Sequence, residues 1–199
     1  TQSALLEAME EGRVTVDGVS HPVPDPFLVI ATQNPAGASG TQLLPDSQLD
    51  RFALRLSMGY PSPRDELELL QRKLRGDPME AVSQVAGSGE LSQLRAQTEQ
   101  VFVHEEVLSY ILQLVQATRS HPGLAQGASP RAGISLTALC RASAFLHGRD
   151  YVVPDDVRYI WADAIAHRLV LPAGSALDAQ RAVQIAAEVL RSVRPPRVR

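Results

Sequence analysis

The spacing of apolar positions changes along the chain and separates a mixed α/β half from a helical half. In the stretch Thr1 to Glu11, Ala4, Leu5, Ala8 and Met9 recur at helical spacing, and Gly12 follows as a stop. Alternation then takes over in residues 13–16 and again in 19–23. Asp17-Gly18 lies between them as a favoured hairpin turn, and Pro22 and Pro24 confine the return strand to an edge. Residues 27–32 (Phe-Leu-Val-Ile-Ala-Thr) form a short continuous apolar run, the pattern of a parallel strand buried on both faces. A loop with Gly37 and Gly40, a short helix over 46–52 and a second strand over 53–58 complete this half.

Helical periodicity dominates from there on. Ser62-Pro63 opens a helix with an inner face at Leu67, Leu70 and Leu74, and Gly76 ends it. Residues 77–90 read as a loop and 91–100 as a short helix. Glu105 to Arg119 carries Val107, Leu108, Ile111, Leu112 and Val115 on its expected inner side. A Pro/Gly/Ala connector over 121–128 places the domain boundary between residues 122 and 123. Three more helices are predicted beyond it. The first starts at Ser129-Pro130 and carries Leu136, Leu139, Phe145 and Leu146. The second spans 154–168, with Asp155 and Asp156 in its first turn, and the third spans 178–193. The expected fold is α/β followed by all-α.

Composition narrows the function classes. With 199 residues, 44% hydrophobic and 21% charged, the chain is long enough to bury a core. Its net charge of −3 disfavours a partner held by many phosphate contacts, and with it a helical DNA-binding module. The single cysteine, Cys140, excludes an internal disulfide and any multi-cysteine metal site, and fits a cytoplasmic protein. No apolar run reaches the roughly 18 residues of a membrane span. Lys73 is the only lysine, between Arg72 and Leu74, so no phosphate-binding loop ending in Gly-Lys-Ser/Thr is present.

Three residues carry candidate chemistry. Asn34 follows the apolar run at its carboxyl end, where open α/β sheets bind ligands, and its amide could position a water; the plainer role is an Asx turn before Pro35. Arg51, in Leu49-Asp50-Arg51-Phe52, could stabilise charge on a transferred phosphoryl group or simply pair with Asp50 or Asp46 at the surface. Arg131 falls in the first turn of a helix, where the dipole disfavours a cation but backbone N–H groups suit an anion between them; a solvated arginine is the alternative. Asp17, His21 and Asp25 surround the hairpin and read as a solvated face. His104, His121, His147 and His167 lack ligand spacing and default to capping or surface roles, and Cys140 to core.

In order, these pieces resemble the MoxR-type AAA+ ATPases over essentially the whole chain. The matching stretches are residues 1–10, the hairpin at 13–18, Ala31-Thr-Gln-Asn-Pro35, Leu44-Pro45 through Leu49-Asp-Arg-Phe52, Gly59-Tyr-Pro61, Ala128-Ser-Pro-Arg131 and residues 147–154. The resemblance implies the C-terminal part of a P-loop AAA+ core over residues 1–122. That part would include a hairpin insertion (13–23), a first-sensor strand (27–34) and an arginine-finger segment (44–52). A helical lid over 123–199 would follow. It implies that Asn34 orients the attacking water, that Arg51 is offered to a neighbouring subunit's nucleotide, and that Arg131 touches the terminal phosphate. It further implies ATP and Mg²⁺ as cofactors, a ring oligomer (a hexamer), a von Willebrand factor A-domain partner and a protein client remodelled or loaded with metal. The family's Walker A and Walker B regions precede what matches Thr1. The chain is therefore expected to be part of a longer protein and inactive alone. A non-catalytic assembly module derived from an ATPase is the alternative.

Overall fold

The computed structural model of the protein describes residues 2–33, 44–173 and 179–197. Helix α1 (Gln2–Glu11) leads through Gly12, at φ +63°, into the antiparallel hairpin of β1 (Arg13–Val16) and β2 (Val19–Pro22). Asp17 and Gly18 have φ of +50° and +78°, the left-handed pair a tight hairpin turn requires. Register pairs Arg13 with Pro22 and Val16 with Val19. The hairpin is laced to α1 by Gly12 N–H on the Ala8 carbonyl (3.2 Å) and by the Thr15 hydroxyl on Glu7 (2.5 Å).

The two further strands expected from sequence are not paired here. Residues 23–33 and 53–61 contain no strand, and Leu28 and Ile30 are 77% and 81% exposed. A strand buried on both faces needs hydrogen-bonded neighbours and covering layers, and the described residues supply neither at this place. Helix α2 (Asp46–Leu49) is a single turn rather than the longer helix predicted. Helix α3 (Pro63–Arg75) has its expected bounds: the Ser62 hydroxyl accepts from Asp65 N–H, and Gly76 at φ +134° ends it. Its leucine face stays open, and α3 buries no residue. A 3₁₀ turn (Pro78–Ala81) precedes α4 (Ser88–Glu99), which starts earlier than the predicted 91.

The hydrophobic core lies in α5 (Glu105–Arg119), α6 (Pro130–Leu146), α7 (Pro154–Ile165), the 3₁₀ turn Ala166–Arg168 and α8 (Ala179–Ser192). Trp161, Tyr110, Leu114, Leu136, Ile165 and Ile185 are its largest fully buried side chains. Trp161 also donates its indole N–H to the Ala186 carbonyl at 2.7 Å, so the ring satisfies its one polar atom while joining α7 to α8. On α5 the buried face is Val107, Tyr110, Ile111, Leu114, Val115 and Thr118. The expected Leu108 and Leu112 are 43% and 53% exposed, so the stripe is rotated toward Tyr110 and Leu114. Leu146, expected inside, is 82% exposed at the end of α6. The core cluster takes in residues from Val101 to Val189, so α5 shares one interior with α6–α8.

Two polar devices lock this bundle. Asp156, 3% exposed, accepts from Ser143 (2.9 Å), both terminal nitrogens of Arg149 (2.8 and 2.6 Å) and the Val153 N–H (2.9 Å), which joins α6 to the start of α7. Burial alone would raise its pKa, but Arg149 and the other donors hold the carboxyl below its ordinary value. The second device is the connector before α6. The Ala128 N–H donates to Thr118 Oγ1 at 3.0 Å and the Arg119 Nε–H to the Ala128 carbonyl at 3.0 Å. Gly127 lets these strands of chain touch, because a β-carbon there would lie 2.5 Å from the Arg119 nitrogen. Among the described residues no helix is long and apolar enough to cross a membrane.

Gly127→Ala is therefore expected to force the connector off α5 and to destabilise the bundle by about 1–3 kcal/mol. Urea unfolding followed by Trp161 fluorescence checks this, and an unchanged midpoint would mean that the connector is free to shift.

Candidate functional site

The segment carrying Arg51 is held from behind by one buried cation. Arg168 ends the 3₁₀ turn after α7, and its side chain is 1% exposed. One terminal nitrogen donates to the carbonyls of Asp50 (3.2 Å) and Phe52 (2.8 Å) and to the Ser135 hydroxyl (3.1 Å). Its Nε lies 3.4 Å from the Asp50 carboxylate. The same carboxylate accepts from the Ser129 hydroxyl at 2.9 Å, so Ser129, the residue preceding α6, makes no capping bond to that helix. Beside Arg168, the His167 Nε2–H donates to the Phe52 carbonyl at 3.0 Å, since a carbonyl can only accept. The Arg55 N–H adds a bond to the Asp163 carbonyl at 2.9 Å. The loop is thus carried by the helical bundle, although it lies far from it in sequence.

This grip has consequences for charge. Burial lowers the pKa of Arg168 from its ordinary value and neighbouring Arg131 adds to that, while Asp50 opposes both. Burial likewise lowers His167, and the charges of Arg168 and Arg55 reinforce it against the Phe52 carbonyl. Cys140 is buried in α6, and burial pushes its thiol up to about 12, so it is a core residue and not a nucleophile.

Arg51 and Arg131 come together. Arg51 does not pair with Asp50 or Asp46; it makes an ion pair with Glu10, at the end of α1. Arg131, in the first turn of α6, pairs with the other oxygen of the same carboxylate. Two guanidinium groups from distant segments therefore converge on one anion. The Arg51 Nε is buried and has no hydrogen-bond partner among the described residues. Such a pair suits an oxyanion with several acceptor oxygens. Asn34 lies outside the described residues, and residues 27–33 lead toward it.

Sequence pattern gave Glu10 and Arg168 no place in the site, and marked Ser129 only as the start of a helix. Glu10 falls in a matching stretch without a role of its own, and Arg168 is the last residue of the predicted 154–168 helix, with nothing local to mark it as a buried anchor. Among the other candidates, His104 Nδ1 accepts from Glu106 N–H at the start of α5, and Asp25 pairs with Arg95 at 3.0 Å.

Two family profiles match the chain: the ATPase family associated with various cellular activities (AAA) over residues 1–54 and the AAA lid domain over residues 116–189. The chain belongs to the AAA+ ATPases and joins part of their core to their lid. It is 42% identical over 196 residues to the Bacillus subtilis protein YeaC, covering 98% of this chain and 61% of that protein. It is 39% identical to the chaperone MoxR1 of Mycobacterium tuberculosis, covering 99% of this chain and 54% of that one. The crystal structure of a candidate ATPase from Cytophaga hutchinsonii superimposes with a TM-score of 0.88 at 34% identity, over 98% of this chain and 62% of its own. Within the AAA+ ATPases the chain is of the MoxR type, and it spans little more than half to three fifths of these relatives.

His167 is expected to make the loop–bundle junction pH-sensitive. Its folded pKa is depressed, so its contribution to stability is complete above the unfolded value of about 6.5 and is lost as pH falls below it. Between pH 6.5 and 5, the urea midpoint of the wild type should fall more steeply than that of His167→Gln, which keeps a donor for the Phe52 carbonyl. Equal slopes would assign the acid sensitivity elsewhere.

Proposed function

We propose that this chain is the phosphate-sensing and lid part of a ring-forming ATPase that couples ATP hydrolysis to the remodelling or metal-dependent maturation of a client protein. The observation that supports this most strongly is the meeting of Arg51 and Arg131 on a single carboxylate. The donor set fits the terminal phosphate of a nucleotide: two planar forks, always charged, able to bind several oxygens at once. When bound, ATP supplies a phosphoryl group whose charge spreads over its oxygens as it is transferred to water. Arg51 and Arg131 would stabilise that charge, and Asn34 would orient the water. Among the described residues no group of three or more His, Cys, Asp or Glu could hold a metal ion, so Mg²⁺ is assigned to none of them.

Both arginines reach the same point from one chain, so the nucleotide that receives Arg51 receives Arg131 as well. We assign both to the nucleotide of the neighbouring subunit in a hexameric ring. The open apolar faces of residues 27–33 and of α3 suit further core layers of a longer protein. A partner with a von Willebrand factor A domain and a cytoplasmic setting complete the proposal.

The 199-residue chain by itself is expected to release no phosphate from ATP, because its one lysine, Lys73, stands on α3 and not in a glycine loop. Magnesium-dependent phosphate release by the pure chain would contradict this. In the full-length protein, Arg51→Ala should cost roughly 10³–10⁵ in turnover, the range of measured arginine fingers. Mixing it with a subunit whose Walker B glutamate is replaced should restore part of the activity, since some interfaces then join an intact pocket to an intact arginine. Arg131→Ala should complement in the same way. If mixed rings form and neither pairing recovers activity, the assignment across the interface fails.

A further inference from the structure

Glu10 occupies the place where an anion would bind, and nothing in the family resemblance assigns it a role. Its carboxylate gives one oxygen to Arg51 and the other to Arg131, much as two oxygens of a phosphoryl group would be shared. The surroundings carry excess positive charge. Arg51, Arg131 and Arg168 face the two carboxylates of Asp50 and Glu10, and Asp50 is already engaged by Arg168 and Ser129. Withdrawing Glu10 would leave two guanidinium groups without a counter-charge.

Glu10 is also poorly held by its own element. It stands in the last turn of α1, next to Glu11, and that turn has no basic residue. The helix dipole disfavours negative charge there. Its side chain is 34% exposed, so the attraction to each arginine is partly screened by water. A polyphosphate carries more charge and more acceptor oxygens than one carboxylate and competes favourably for the same forks.

We propose that Glu10 is a built-in occupant of the phosphate site, which keeps Arg51 and Arg131 together and is displaced when they take a phosphate. This rests on the assignment of the two arginines to phosphate. The device couples the site to the hairpin, because β1 begins at Arg13, and Gly12 and Thr15 are bonded back to Ala8 and Glu7 of α1. When Glu10 leaves the arginines, the end of α1 and the root of the hairpin are freed together.

The test is a calorimetric titration of inorganic tripolyphosphate into the 199-residue chain at low ionic strength, with variants whose unfolding midpoints match the wild type. Glu10→Gln keeps the size of the side chain and removes its charge. It should bind tripolyphosphate about three- to tenfold more tightly, the change expected from removing a competitor held by partly exposed ion pairs. In Glu10→Gln combined with Arg51→Ala or Arg131→Ala the gain should vanish. The Nε resonances of Arg51 and Arg131 should shift in Glu10→Gln before any ligand is added, and in the wild type on adding tripolyphosphate. Equal or weaker binding by Glu10→Gln, while Arg51→Ala and Arg131→Ala each lose affinity, would overturn the occupant role and leave the arginine site standing. If Arg51→Ala and Arg131→Ala bind as the wild type does, the arginine site itself is wrong, and the role of Glu10 falls with it.

Discussion

A single buried guanidinium decides where the segment carrying Arg51 stands. Arg168 sits in the helical bundle with 1% of its side chain exposed, and two of its hydrogen bonds go to the backbone at residues 50 and 52, on either side of Arg51. A buried cation is tolerable only when its charge is answered; here carbonyls accept from its terminal nitrogens, and the Asp50 carboxylate answers the charge 3.4 Å from an Nε that has no hydrogen-bond partner among the described residues. Asp50 is spent in this contact, together with Ser129, and so is unavailable to Arg51. The side chain of Arg51 is left to meet the Glu10 carboxylate instead.

From this constraint the geometry of the site follows. The Asp50–Phe52 loop is fixed to the turn after α7, and Ser129 ties the same loop to the start of α6. Arg131, two residues beyond Ser129, is thereby brought alongside Arg51. Neither arginine is positioned by its own local sequence. Both are placed by one polar junction between the lid and the core. A movement of the bundle would carry the Arg51 loop with it.

Much of the fold was legible in the pattern of residues, because it depends on short-range rules. Gly12, Asp17-Gly18, Ser62-Pro63 and Gly76 mark their turns and helix ends through φ preference and capping, and the structure has elements starting and stopping there. The inner face of α5 was only partly legible. Val107, Ile111 and Val115 satisfy the helical period, but so do Leu108 and Leu112, and the direction from which α6 and α8 approach selects between them. The apolar run at 27–32 showed the opposite limit. Its composition calls for neighbours, and composition cannot supply them.

The sequence by itself determined the class of protein, the order of its helices and its hairpin, and Arg51 and Arg131 as candidates, since motifs, spacing and turn chemistry are written in adjacent residues. Tertiary structure alone decided that these two arginines share one carboxylate, that this carboxylate is Glu10, and that Arg168 and His167 are buried beneath the loop. Each of those facts joins residues far apart in the chain: Glu10 to Arg131, Asp50 to Ser129, Phe52 to Arg168. The physical reason is that a charged side chain takes its partner from the space around it. Only the packing of α5–α8 fixes which carboxylates and carbonyls lie within reach.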